Sequence, residues 1–301
     1  MKKSVSMLLA ALMLTGALAG CGSSASTSAS GTQAEDGADS GVSGAITVIS
    51  REDGSGTRGA FIELTGVEEK TADGKKVDNT TADAEIANKT DVVLTSVAGN
   101  EKAIGYISLG ALNDTVKAVK VDGAEATVDN VKAGAYKLSR PFNIATKGEP
   151  TGLAKDFINF ILSKEGQAVV TDNKYIAVND AAESFVSDGS SGQIAVGGSS
   201  SVSPVMEKLI EAYKSVNPNA SIDLQTSDST SGITGAMDGT FAIGMASREL
   251  KDEEAAQLTG TAIALDGIAV IVNPANTIDE LSMDQIKSIY VGDITDWGDL
   301  A

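Results

Sequence analysis

Short apolar runs and helix-spaced apolar stripes alternate along the chain. Residues 152–163 and 205–215 carry apolar side chains at intervals of three and four, which predicts two amphipathic helices. A third helix is expected over residues 283–290 with Ser282 as its N-cap, and a fourth from residue 91. Strands are predicted at the short apolar runs 46–49, 103–107, 116–121, 136–138, 142–146, 194–196, 241–245 and 268–272. This alternation predicts an α/β fold.

The first residues have the pattern of a targeting segment. Lys2 and Lys3 precede an apolar run at residues 7–18, which is too short to span a bilayer as a helix. The run ends in Leu-Ala-Gly-Cys, which resembles the bacterial lipobox and predicts a lipoprotein signal peptide over residues 1–21 with lipid attachment at Cys21. A plain secretory signal with an incidental cysteine is the alternative. The small residues before Cys21 and the Gly/Ser-rich stretch after it favour lipidation.

Residues 22–45 are rich in Ser, Gly, Ala, Thr and Asp, which predicts a flexible tether with little to bury. No later segment is an uninterrupted apolar run of spanning length. We therefore expect an extracytoplasmic protein at the outer face of the cell membrane, held there through the lipid anchor only.

Charge and composition exclude several classes of function. The formal net charge of −18 argues against nucleic-acid binding and would repel an anionic ligand at long range. An anion site would therefore need local dipoles and an arginine. The chain has no histidine, which excludes Ser-His-Asp and Cys-His catalysis, and we predict no metal and no cofactor.

The sequence Arg-Glu-Asp-Gly-Ser-Gly-Thr at residues 51–57 concentrates a cation, a carboxylate, hydroxyls and glycines in one turn. A predicted strand precedes it and a helical pattern follows from residue 59. Backbone N–H groups at a helix start, with hydroxyls and an arginine beside them, form an oxyanion site. The same composition is also that of a polar turn whose Ser55 or Thr57 caps a helix. Residue chemistry alone leaves both interpretations open.

Three further hydroxyl-rich segments follow or precede predicted elements: residues 198–201, 229–234 and 247–248. Each could be a helix cap when taken alone. Together they place hydroxyl donors at the carboxyl edge of a sheet, where open α/β folds bind ligands.

Several motifs together resemble one family. The segments at residues 51–57, 103–106, 198–204, 243–250 and 266–274 are similar to those of the phosphate-binding protein of the bacterial Pst ABC importer. The resemblance extends from about residue 46 to the last residue. It implies a two-lobed periplasmic-binding-protein fold, type II-like, with the ligand cleft between the lobes.

The order of the motifs differs from that of the family. The family places the 51–57 type of turn after the segment that resembles residues 289–297, whereas here the turn begins the fold. The chain therefore resembles a circular permutant, with the family's old ends joined around residues 179–192. A frameshifted or truncated tandem gene is the rival explanation. The signal peptide in place and the single occurrence of each family half argue against it.

The resemblance also implies the boundaries of the lobes. One lobe is expected to combine residues 46–141 with residues 267–301, and the other to be continuous over residues 142–266. Two crossings, near Arg140 and Asp266, would connect them, and hinge closure would trap the ligand.

The site residues are implied by the same resemblance. Arg51 is expected to pair with the oxyanion, and Asp53 to accept the proton that phosphate carries and sulfate lacks. The alternative for Asp53 is a purely structural ion pair with Arg51. The expected phosphate-binding set is Arg51, Asp53, Ser55, Gly56, Thr57, Ser200, Ser201, Ser229 and Ser247. Some family members have Asp where Ser247 stands, so the donor set is least defined there.

The function implied is capture of inorganic phosphate outside the cell and delivery to the permease subunits of an ABC importer, by a monomer that is not an enzyme. A phosphatase with a serine nucleophile on the same fold is one alternative. A binding or sensing module for another oxyanion is the other.

Overall fold

The computed structural model describes residues 42–300. The predicted signal peptide, Cys21 and most of the predicted tether lie outside this range. Within it, no helix combines the length and apolarity needed to cross a bilayer. The last residues assigned to the tether belong to the fold, since Val42 N donates to Thr277 Oγ1 at 2.8 Å and Gly44 N donates to Asp296 Oδ1 at 2.9 Å.

Strands and helices alternate as predicted. The strands are β1 Thr47–Arg51, β2 Glu68–Lys70, β3 Lys76–Asp78, β4 Glu85–Ala87, β5 Ala103–Ser108, β6 Lys117–Ala118, β7 Lys120–Val121, β8 Ser139–Thr146, β9 Gly192–Ser199, β10 Ala220–Ser227, β11 Ile243–Ala246, β12 Thr259–Val272 and β13 Glu280–Leu281. The α-helices are α1 Gly56–Thr65, α2 Thr90–Ala98, α3 Val128–Lys132, α4 Gly152–Leu162, α5 Lys164–Asp172, α6 Ser203–Val216, α7 Ser229–Asp238, α8 Asp252–Ala255 and α9 Met283–Val291. Two short 3-10 helices are Leu109–Ala111 and Trp297–Leu300. The α/β prediction is confirmed.

The main sheet runs in the order β10-β9-β11-β8-β12-β5-β1-β4, with β6 also paired to β12. Strands β9, β10 and β11 are parallel to one another, as are β1, β4 and β5. The long strands β8 and β12 are antiparallel to each other and lie between these two parallel groups. The sheet therefore has two parallel groups joined by one antiparallel pair.

Each parallel group has its own hydrophobic cluster. The first cluster contains residues of β1, β5, α1, α2 and α9, and the second contains residues of β9, β11, α4 and α6. Strand β12 contributes to both, with Ile268 in the first cluster and Ala264 in the second, and Leu138 just before β8 lies in the first while Phe142 of β8 lies in the second. The packing thus changes from one cluster to the other within four residues of each segment.

A few elements differ from the prediction. Residues 136–138 are not a strand, because the amides of Ala135 and Tyr136 both donate to the carbonyl of Asn130 and turn the chain. The predicted strand at 116–121 is divided into β6 and β7. Strand β12 begins before the predicted apolar run, and α5 and β10 were not predicted, because their exposed positions interrupt the apolar pattern.

Candidate functional site

Strand ends and helix starts from both parallel groups meet at one place. From the first group come the end of β1 and the first residues of α1 and α2. From the second come the ends of β9 and β11 and the first residue of α7. The carboxyl ends of parallel strands share one edge of a sheet, so polar residues that follow them are brought together.

A buried polar cluster occupies this place. Its members share near-complete burial, none being more than 7% exposed. They are Arg51, Thr57, Thr90, Arg140, Ser199, Ser200, Ser201, Ser229 and Ser247.

The hydroxyl groups of the cluster contact one another across the two parallel groups. Thr57 Oγ1 shares a hydrogen bond of 2.8 Å with Ser201 Oγ and lies 3.4 Å from Ser247 Oγ. Ser247 Oγ accepts from Ser199 Oγ at 3.0 Å and lies 3.4 Å from Ser229 Oγ, while Ser247 N donates to Ser229 Oγ at 3.0 Å. Each hydroxyl carries one proton and can donate it to a different acceptor. The hydroxyl protons of these residues can therefore turn towards one common acceptor.

Arg51 supplies a guanidinium at the end of β1. Its Nη2 donates to Ser200 Oγ at 3.1 Å, and its Nε and Nη2 both donate to the Glu52 carboxylate at 2.8 Å. The backbone is fixed as well, since Arg51 N donates to Tyr106 Oη at 3.1 Å. The guanidinium is thus held in place by a bidentate partner and aimed at the serine loop that follows β9.

Arg140 supplies a second guanidinium, from the beginning of β8. Its Nη2 donates to Thr57 Oγ1 at 3.0 Å, its Nε donates to Ser247 O at 3.3 Å, and its Nη1 pairs with Asp266. Burial raises the pKa of Asp266 and lowers the pKa of Arg140, and their mutual attraction opposes both shifts. Both members of the pair are almost fully buried. A cleft of about 800 Å³ between α1 and residues 248–253 has Arg140 in its wall.

Helix starts add partial positive charge to the cluster. Thr57, Thr90 and Ser229 lie in the first turns of α1, α2 and α7, where N–H groups have no partner within the helix. Gly56 brings the α1 backbone close to the other parallel group. A Cβ at this position would overlap Ser229 Oγ and lie 2.9 Å from Ser247 Oγ, so the close approach requires glycine.

The structure brings most of the expected site residues together. Arg51, Gly56, Thr57, Ser200, Ser201, Ser229 and Ser247 lie in or against the cluster. Ser55 is buried beside them as the N-cap of α1, where its Oγ accepts from Arg58 N at 3.3 Å. Its hydroxyl proton is available for a second partner.

Asp53 is the exception, because it lies outside the cluster. Its side chain is 97% exposed and pairs with Arg58 at 3.1 Å, so it neither enters the cluster nor pairs with Arg51. The carboxylate beside Arg51 is that of Glu52, whose side chain is 21% exposed. The physical reason is the turn after β1, which directs Asp53 outwards while the last strand residue stays inward.

Sequence reasoning missed three members of the cluster. Ser199 lies within the hydroxyl-rich segment 198–201 but was not included in the expected binding set, and Thr90 directly precedes the predicted start of α2, so a hydroxyl beside a helix start was the available signal. Arg140 stands between apolar Leu138 and Phe142, and a lone cation in such surroundings was its signal. Only the pairing of β8 with β12 brings Arg140 to Thr57.

The cluster is suited to holding an oxygen-rich anion. Two guanidinium groups are balanced by Glu52 and Asp266, so the attraction comes from hydroxyl protons, guanidinium N–H groups and helix starts. In the described hydrogen bonds of residues 42–300, no carboxylate contacts a serine of the cluster that could act as a nucleophile. Over the same residues, no group of three or more His, Cys, Asp or Glu side chains is arranged to hold a metal ion.

Comparison with known proteins agrees with this geometry. The chain matches the PBP superfamily domain over residues 25–165 and 184–301. It is 50% identical over 302 residues to the phosphate-binding protein PstS 2 of Streptococcus agalactiae serotype V, covering 99% of this chain and 98% of that protein. It is also 34% identical over 137 residues to the phosphate-binding protein PstS of Bacillus subtilis, covering 45% of this chain and 42% of that protein.

A solved structure has the same fold. The crystal structure of a phosphate-binding protein of a phosphate ABC transporter from Streptococcus pneumoniae TIGR4 superposes with a TM-score of 0.69 at 50% identity. The superposition covers 86% of this chain and 100% of that one. With near-complete coverage of a relative at 50% identity and a matching fold, the chain belongs to the PstS family of phosphate-binding proteins.

Proposed function

We propose that this protein binds inorganic phosphate outside the cell and delivers it to the permease of an ABC importer. The observation that carries the proposal is the buried polar cluster, in which Arg51 and a set of hydroxyls converge from two strand groups. The relatives described above are named as phosphate-binding proteins, and one is the phosphate-binding protein of a phosphate ABC transporter.

Phosphate fits the chemistry of the cluster. Its four oxygens accept hydrogen bonds in a tetrahedral arrangement, and the donors come from several directions on both strand groups. A buried dianion is stable only where every oxygen finds a donor. The proposed contacts are Arg51, Ser55, Gly56 and Thr57 on one side, and Ser200, Ser201, Ser229 and Ser247 on the other.

The two sides are proposed to move as lobes. The two hydrophobic clusters form separate cores, and the chain passes between them along β8 and β12. Cross-lobe contacts such as Thr57 with Ser201, and Thr230 Oγ1 donating to Gly54 O at 3.2 Å, would form on closure. The lobes are taken as residues 46–141 with 267–301, and residues 142–266. Closure would exclude water from the bound anion.

The motif order is proposed to be a circular permutation. Ala45 forms an antiparallel bridge with Asp296, and Trp297 N donates to Gly44 O at 3.1 Å, so the two ends of the described chain are neighbours. A differently ordered relative would align over one part only, as with the 137-residue match in Bacillus subtilis. A chain with residues 182–300 placed before residues 46–181 keeps the contacts of residues 187–190 with Asp156 and Asn217 and should fold and bind phosphate with unchanged affinity; loss of folding would count against the proposal.

We also propose that lipid attachment at Cys21 holds the protein at the outer face of the membrane. Cys21 lies outside the described residues 42–300. Metabolic labelling with a radioactive fatty acid, compared between the natural chain and Cys21→Ser, tests it; equal labelling of both would refute lipidation.

Calorimetry with phosphate, sulfate and arsenate tests the main proposal. We expect phosphate to bind and sulfate to compete weakly. Ser247→Ala should weaken phosphate binding, whereas the exposed Ser215→Ala on α6 is a matched control with unchanged affinity. Sulfate binding as tight as phosphate would contradict phosphate selectivity. Hydrolysis of a phosphomonoester that is lost in Ser247→Ala would revive the phosphatase alternative.

A further inference from the structure

Arg140 lies at the point where the molecule passes from one hydrophobic cluster to the other. In the β8–β12 register it stands opposite Asp266, and the neighbouring Leu138 and Phe142 belong to different clusters. Its guanidinium lies over the Phe142 ring at 5.0 Å from the centroid and is 3% exposed. Burying a cation at this position costs free energy unless its N–H groups are hydrogen-bonded and its charge is paired.

The guanidinium reaches groups on both sides of the crossing. Nη2 donates to Thr57 Oγ1 at 3.0 Å, in the first turn of α1. Nε donates to Ser247 O at 3.3 Å, after β11. Nη1 pairs with Asp266 and donates to Gly267 O at 3.1 Å. One planar group therefore fixes the separation of Thr57 and Ser247, which come from different parallel strand groups and whose hydroxyls lie 3.4 Å apart.

The bond to Thr57 also fixes the direction in which that hydroxyl acts. A guanidinium has donors only, so Thr57 Oγ1 must accept from it. The hydroxyl's own proton is then directed to the remaining neighbours, Ser201 Oγ at 2.8 Å or an anion between them. Without the guanidinium, no neighbour fixes Thr57 Oγ1 as an acceptor, and its proton is free to turn away from an anion towards another oxygen such as Ser247 Oγ at 3.4 Å.

We propose that Arg140 is a positioning residue of the anion site: it sets Thr57 as a hydrogen-bond donor and holds it at a fixed distance from Ser247. The inference rests on the proposed function, since it assigns a residue that prepares that same site. Asp266 takes part by orienting the guanidinium, and neither residue needs to contact the anion.

A double-mutant cycle tests this coupling by calorimetry with inorganic phosphate. The first background is the natural chain, and the second is Arg140→Met with Asp266→Asn, which avoids leaving a buried carboxylate unpaired. Thr57→Val should lower phosphate affinity about 10- to 100-fold in the first background, as expected for a hydrogen bond to a charged group. In the second background the same substitution should cost less than about threefold, because Thr57 is no longer set as a donor.

Ser200→Ala is the matched control, because in the described contacts Ser200 Oγ bonds to Arg51 and Thr90 and not to Thr57, Ser247 or Arg140. Its cost should be the same in both backgrounds. Equal costs of Thr57→Val in both backgrounds would overturn the positioning role, since a merely structural residue lowers affinity without changing that ratio.

Arg140→Lys is a third background that keeps a charge opposite Asp266, so it remains informative if circular dichroism shows that the neutral pair does not fold. Lysine has one compact ammonium and cannot replace the fork that reaches Thr57, Ser247 and Asp266 together. Thr57→Val should again cost less than about threefold there. A cost as large as in the natural chain would refute the proposal. Absence of phosphate binding by the natural chain would instead overturn the proposed function, and this inference with it.

Discussion

Two buried polar regions of the molecule differ in the kind of hydrogen-bond partners that the chain supplies to them. Around Asp156 on α4, one carboxylate accepts from four donors: Ser187 Oγ at 2.8 Å, Asp188 N at 3.0 Å, Tyr213 Oη at 2.7 Å and Asn217 Nδ2 at 3.5 Å. In the buried polar cluster, hydroxyls and guanidinium groups face each other, and several contacts are as long as 3.4–3.5 Å.

The difference separates a structural network from a binding site. In the Asp156 network the acceptor comes from the chain itself, and it anchors residues 187–190 against α4 and α6. In the buried polar cluster most partners are hydroxyls, which accept one hydrogen bond and keep a proton of their own to donate. These protons can be redirected to the oxygens of an incoming ligand, so such a region favours an anionic ligand.

The largest expected effect is loss of binding in Arg51→Met. Removing the guanidinium that points at Ser200 should cost about 2–5 kcal/mol of phosphate-binding free energy, as for one partner of a buried charged pair. The free energy of unfolding should change less, because Glu52 is partly exposed and can be hydrated. Calorimetry and urea unfolding measure the two quantities. Lys208→Met, which removes an exposed cation on α6, is the control and should change neither. Retained affinity in Arg51→Met would remove Arg51 from the site.

For Asp156→Ala we expect the opposite result, a large change in the free energy of unfolding and a small change in phosphate affinity. It leaves the Tyr213 hydroxyl, the Ser187 hydroxyl and the Asp188 N–H without their acceptor, which should lower the free energy of unfolding by about 2–4 kcal/mol. Phosphate affinity should stay within about twofold, since the network is separate from the buried polar cluster. The exposed Asp114→Ala serves as control for urea unfolding. A large loss of phosphate affinity without a lower free energy of unfolding would contradict the assignment of the Asp156 network as structural.

The Asp156 network also predicts a pH dependence. Burial alone raises the pKa of Asp156, but the hydrogen bonds from the Asp188 amide and from the Tyr213, Ser187 and Asn217 side chains together lower it below the ordinary value. A carboxyl with a lowered pKa in the folded state stabilises the protein above its unfolded pKa of about 4, and this contribution is lost as the pH falls further. The stability difference between the natural chain and Asp156→Asn should therefore be largest near neutral pH and shrink below about pH 4. A difference that stays constant down to pH 2 would contradict this.

The smallest effect is expected for Asp53→Asn. An exposed carboxylate paired with Arg58 contributes about 0–1 kcal/mol, so phosphate affinity and sulfate rejection should change less than about threefold. Glu52→Gln is the matched comparison, because it removes the carboxylate that pairs with Arg51, and it should change both quantities more. Loss of sulfate rejection in Asp53→Asn alone would return the proton-acceptor role to Asp53 in the anion-bound state.

Local patterns were sufficient for much of the fold and for part of the site. The helix-spaced apolar positions predicted α4, α6 and α9, and the apolar runs predicted β1, β5, β9 and β11. The turn at residues 51–57 and the serines at 198–201 were identified because their chemistry is contained in a few adjacent residues. Helix α5 and strand β10 were not predicted, because exposed positions interrupt their apolar patterns.

The sequence by itself determined the alternation of elements, the hydroxyl-rich turns and the family resemblance, because each depends on neighbouring residues. Only the tertiary structure decided which polar groups meet. Arg140 reaches Thr57 through the β8–β12 pairing, and Thr90 reaches Ser200 across more than a hundred residues. It also decided that Asp53 points to solvent while Glu52 pairs with Arg51. Long-range pairing and the direction of each side chain at a turn depend on the packing of the whole chain, which no local pattern specifies.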